Sequence, residues 1–138
     1  VLADVQGPEA AAIHAPIYAE KLYQPDVRER LRLAREVPGW RHVAALARMR
    51  EITQEVRQAL APYDAVVLPT VLIPPPPLEE DPSAVREPLL RNTRLASLTG
   101  LPAVSVPVTE TGVQLVGVDY ARVMAAAAWV ENTVHTPL

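Results

Sequence analysis

Apolar residues recur at helical spacing through the first half of the chain and gather into short runs in the second. Between Trp40 and Ala61, the residues Ala45, Met49, Ile52, Val56, Ala59 and Leu60 fall three or four positions apart, which predicts one long amphipathic helix. Arg48, Arg50, Glu51, Gln54, Glu55, Arg57 and Gln58 cover its other side. A shorter helix is predicted over Pro25 to Val37, with Pro25 at the first helical position and Pro38-Gly39 as the stop. Glu9 to Leu22 has helical composition, with Pro16 as a kink. The period then changes. Ala65-Val66-Val67-Leu68, ended by Pro69-Thr70, predicts a strand buried on both faces, as in the middle of a parallel sheet. Residues 71–88 form a proline-rich loop, and Leu89 to Thr99 a short helix that Gly100 stops. Ala103 to Val108 and Gly112 to Val118 predict two more strands. A last helix opens at Asp119, a plausible N-cap, and runs to about Val134.

Helices interleaved with strands predict an α/β fold. Three strands among five helices leave a sheet edge that needs cover, which suggests part of a larger sheet. The opening Val1-Leu2-Ala3, without a methionine, is what a piece of a longer protein would show. Residues 1–138 are therefore expected to be a single domain or a fragment of one.

Composition narrows the partners. The formal charge of −3 argues against a general nucleic-acid surface, and no apolar run is long enough to span a membrane. There is no cysteine, so thiol catalysis, disulfides and cysteine zinc sites are excluded, and a cytoplasmic location is the expectation. Basic charge comes from twelve arginines and Lys21.

No catalytic constellation stands out. His14, His42 and His135 lack the spacing of a helical metal pair, and none of Ser83, Ser97 and Ser105 sits in a nucleophile elbow. No metal and no cofactor is expected. His14 reads as a packed, hydrogen-bonded histidine, and Glu79-Glu80-Asp81 as a solvated loop. In the Pro25 helix, Val27, Leu31 and Ala34 share one face and Arg28, Arg32 and Arg35 point outward. Arg30 falls beside the apolar face. It is either satisfied by backbone carbonyls and a carboxylate or aimed into a cavity, where it would clamp a substrate carbonyl or carboxylate. Thr70 ends a strand, the position where ligands sit in open α/β sheets, or else it caps the strand end. Thr93 lies in the helix before the Thr-Gly-Leu-Pro turn.

The order of the segments "YDAVVLPT" (Tyr63 to Thr70), "TGLPAVSVP" (Thr99 to Pro107) and "GVQLVG" (Gly112 to Gly117) resembles the C-terminal part of the amidase signature family. "EAAAIH" (Glu9 to His14) and "DVRERL" (Asp26 to Leu31) resemble its upstream helices, so the resemblance covers nearly the whole chain. It implies a mixed sheet flanked by helices. It also implies amide hydrolysis through a Ser–cis-Ser–Lys triad and an acyl-enzyme. That triad belongs to a Gly/Ser-rich region this chain does not contain, so no catalytic residue is expected here and the chain alone is expected to be inactive. Arg30, Thr70 and Thr93 are the expected substrate-binding residues, and a small-molecule amide is the expected ligand if the rest of the enzyme is present. The chain's expected partner is the remainder of the amidase domain or a second copy. The loop in "VTETGVQLVG" is shorter than the family's, and Ser97 replaces its usual Asn. Two alternatives stay open. One is a fragment of the amidase-type subunit of glutamyl-tRNA(Gln) amidotransferase. There Arg30 matches a glutamine-binding arginine, but Leu90 stands where that subgroup has an Asp. The other is a free-standing, non-catalytic interaction domain derived from an amidase.

Overall fold

The structure is a computed structural model that describes residues 1–108 and 110–135, without the side chains of Pro82, Ser83 and His135. Thr109, in the shortened loop, and the side chains of Ser83 and His135 thus lie outside the described residues. The chain divides into two compact units, Val1–Ile52 and Thr53–Leu138.

The first unit is helical. α1 runs from Leu2–His14, two 3-10 turns follow at Ala15–Ile17 and Glu20–Leu22, and α2 spans Pro25–Arg35. The helix expected to continue through Pro16 stops before it. Pro16 has no N–H to return to the preceding turn, and the chain tightens into the first 3-10 turn. α1 instead carries Pro8 in its interior. Pro8 leaves the carbonyl of Asp4 without its helical donor, and the Nδ1 of His42 binds that carbonyl at 2.9 Å. His42 belongs to α3, Gly39–Leu60, which begins in this unit. Val5 and Ala11 of α1 and Leu31 and Ala34 of α2 are buried. Gly7 lets the two helices approach closely, since a Cβ there would lie 3.3 Å from that of Ala34.

The second unit holds a three-stranded antiparallel sheet, ordered β1 (Val66–Pro69), β3 (Val113–Val116), β2 (Ala103–Val106). α4 (Pro82–Leu90) and α5 (Thr93–Thr99) lie between β1 and β2 in sequence, and α6 (Tyr120–His135) follows β3. The proline-rich connection is therefore shorter than expected, its end taken up by α4. The expected helix from Leu89 breaks at Arg91-Asn92. Gly100 ends α5 with φ +64 and donates its N–H to the Ala96 carbonyl at 2.9 Å. Two residues later the Pro102 carbonyl accepts from Gly117 N at 3.2 Å, so the turn feeds straight into the ladder. Asp119 caps α6 as expected, its Oδ1 accepting from Arg122 N at 2.9 Å.

The strand at Val66 differs most from expectation. Among the described residues it is an antiparallel edge strand paired only with β3, and Val67 is 58% exposed. A continuous apolar run reads as doubly buried, but here the described residues cover neither its outer edge nor all of its faces. α6 packs on the sheet face that carries Val104, Val106, Val113 and Leu115, where Val106, Leu115, Val123 and Ala127 form the core. Full burial of side chains such as Leu115 and Val123 stabilises by about 1.5–3 kcal/mol each. Beside this core, Tyr63, Val67, Ala126 and Trp129 line an open apolar groove of about 350 Å³. Among the described residues, no helix is long and apolar enough to cross a membrane.

Candidate functional site

The other sheet face carries a polar cluster. The pairing register sets Leu68 opposite Gln114 and Gln114 opposite Ser105, all on this face. Thr70 extends β1 by one residue on the same side, its N–H donating to the Gly112 carbonyl at 3.0 Å. Gly112 lies between Thr70 and the neighbouring strand and has φ +66. With no side chain there, the Thr70 and Ser105 hydroxyls meet across it at 2.6 Å. A Cβ on Gly112 would stand 3.1 Å from each hydroxyl oxygen. Asn92 closes the end of β1 by donating Nδ2–H to the Pro69 carbonyl at 2.7 Å. Gln114, only 4% exposed, donates from Nε2 to the Asn92 carbonyl at 3.3 Å.

Thr70, an expected site residue, is thus part of a real cluster. Thr93 is adjacent to it in sequence, but its hydroxyl donates to the Leu90 carbonyl at 3.1 Å and joins α5 to the end of α4. Arg30 belongs to the first unit. It donates from Nε to the Asp26 carbonyl at 3.2 Å and forms an ion pair with the Asp26 carboxylate at 2.6 Å. That is the first of its two expected arrangements, a cation satisfied by a carbonyl and a carboxylate. Ser105, Gln114 and Asn92 were not singled out from sequence. Their signal was present, a serine and a glutamine set singly into otherwise apolar strands.

The cluster is uncharged. Among the described residues the partner of the Ser105 hydroxyl is another hydroxyl, not a base, so nothing here activates a nucleophile. No group of three His, Asp or Glu residues is placed to hold a metal ion among the described residues. What the arrangement can do is present hydrogen-bond donors and acceptors to a neutral group. No protein-family model, no curated protein and no solved structure matches the chain.

The first unit has a separate groove of about 460 Å³ between the 3-10 turns and α2, lined by Tyr18, Glu20, Arg28, Arg32 and Arg35. Its guanidinium groups are largely spoken for. Arg28 pairs with Glu20 at 2.9 Å, Arg32 with Glu29 and Glu36, and Arg35 lies over the Tyr18 ring at 4.9 Å. The hydrogen bonds from Arg32 hold the Glu29 carboxyl below its ordinary value, and those carboxylates raise Arg32 in turn. A groove so neutralised offers little to an anion. His14 is hydrogen-bonded as expected, Nδ1 to the Tyr23 hydroxyl at 2.8 Å.

Proposed function

We propose that this chain is the C-terminal part of an amidase, supplying sheet and pocket wall to a Ser–cis-Ser–Lys triad carried elsewhere in the protein. The observation that carries this reading is the ordered series Tyr63–Thr70, Thr99–Pro107 and Gly112–Gly117, with the upstream helices before it. The α/β architecture of the second unit is compatible with it. So is the apolar edge strand β1, which an isolated sheet would leave wet and a larger sheet would cover. Arg30 and Thr93, each committed to a local bond, are weaker candidates for substrate contact than Thr70.

A serine-directed fluorophosphonate tests the reading on the protein as isolated from its source, alongside an assay of ammonia release from benzamide. The expected result is one labelled serine outside residues 1–138, with Ser83, Ser97 and Ser105 unmodified. A polypeptide of only 15.0 kDa that takes no label and releases no ammonia would refute it.

A further inference from the structure

Gln114 is more than nine-tenths buried, and half of its amide is unused. Its orientation is fixed, because the group that meets the Asn92 carbonyl must be the Nε2 donor. Oε1 then takes no hydrogen bond among the described residues, yet it is not sealed away, since no fully buried side-chain polar atom lacks a partner. Ser105 sits directly opposite on β2, and Thr70 lies diagonally across on the β1 side. Their hydroxyls share one hydrogen bond, which uses one of two protons. The sheet face therefore shows a free acceptor and a free hydroxyl donor side by side, with Gly112 adding no side chain between the two hydroxyls.

We infer that Gln114, Ser105 and Thr70 form a recognition site for a neutral planar group that presents N–H and C=O together, a primary carboxamide or a urea. The ligand N–H donates to Gln114 Oε1, and its carbonyl accepts the spare hydroxyl proton. A carboxylate is rejected, because it would set a second acceptor against Oε1 and lose that bond. A ketone can accept the hydroxyl proton but has no N–H to donate to Oε1, so that acceptor stays unpaired. The site therefore separates an amide from the corresponding acid without using a charge. This deepens the amidase reading, on which it rests for the kind of ligand expected at Thr70, although binding itself needs no triad.

The test is titration of the ¹⁵N-labelled 138-residue chain with acetamide, followed by the Gln114 side-chain NH₂ signals and the Thr70 and Ser105 backbone amides. Saturable shifts confined to this cluster are expected, while acetone and acetate at equal concentration leave the signals in place. Ser105→Ala, at an exposed position, is expected to weaken acetamide binding at least fivefold, and Gln114→Leu to abolish it. Equal shifts from acetate or acetone, no saturable shift from acetamide, or unchanged binding in Ser105→Ala would overturn the assignment. The outcome is independent of the fluorophosphonate result. A labelled serine with no acetamide site removes this inference alone, and an acetamide site with no labelled serine removes the amidase reading alone.

Discussion

Replacing Gly112 with alanine puts two separate costs on one atom. The backbone at φ +66 is left-handed, which a residue with a Cβ adopts at about 1–2 kcal/mol. The new Cβ also falls 3.1 Å from both Thr70 Oγ1 and Ser105 Oγ, so one hydroxyl must turn away. Losing that partly exposed bond adds about 0.5–1 kcal/mol. The expected total is about 1.5–3 kcal/mol, or roughly 12- to 150-fold faster exchange of amides that open with the sheet. Native-state hydrogen exchange at Leu115 and Val116, both buried on the central strand, reads this directly. The two costs can be separated. In a Ser105→Ala background the steric part shrinks and the backbone part stays, so Gly112→Ala should cost measurably less there. Gly112→Asn should be milder than an alanine of equal backbone fit would suggest, because Asn tolerates the left-handed region. Exchange within threefold of wild type in Gly112→Ala would refute the strain argument. An identical cost in both backgrounds would refute the hydroxyl contact.

Two further expectations follow from local chemistry. His42→Ala strands the Asp4 carbonyl and should destabilise the first unit by about 1–2 kcal/mol. Adding Pro8→Ala, which restores a helical donor, should recover most of that loss in the exchange of the Leu31 amide, and a purely additive double variant would refute the link. On α4, hydrogen bonds from Arg91 and then the charges of Arg91 and Arg94 hold the exposed Glu87 carboxyl below its ordinary value. The folded state therefore favours the carboxylate. Its contribution is present above the ordinary glutamate value and lost as pH falls through the lowered folded value. Carboxyl NMR should show Glu87 titrating below a typical glutamate, and Arg91→Gln should move it up toward the ordinary range, with Arg94 still holding part of the lowering.

The features legible in the sequence were those decided within a few residues. Gly100 stops α5, Asp119 caps α6, and the stripe from Ala45 to Leu60 forms one helix, each from a local backbone requirement. What could not be read depended on distant partners. Ala65 to Leu68 is apolar on both sides, and that pattern is the same for a strand covered twice and for an open edge. The His42 bond to Asp4 spans thirty-eight positions and repairs a defect that Pro8 makes elsewhere. The polar cluster became visible only when the register placed Ser105, Gln114 and Thr70 on one face. Of the expected site residues, Thr70 gained a partner through that register, whereas Arg30 and Thr93 had theirs within four residues.

Pro69 has a consequence for how the chain finds its alignment. Alternation of apolar and polar side chains normally forbids a one-residue slip, but Val66-Val67-Leu68 is apolar on both faces and gives no such guidance. In the observed register Thr70 bonds to Gly112, so the bonds to β3 fall on even-numbered residues of β1, and the nitrogen of Pro69 faces outward. A slip of one would turn that nitrogen toward β3 and delete a donor from the ladder. Pro102 guards the opposite side against a slip of two, which would set it against Leu115 at the middle of the sheet. In this sheet the imino acids serve as a reading frame, selecting one alignment where the hydrophobic pattern permits several.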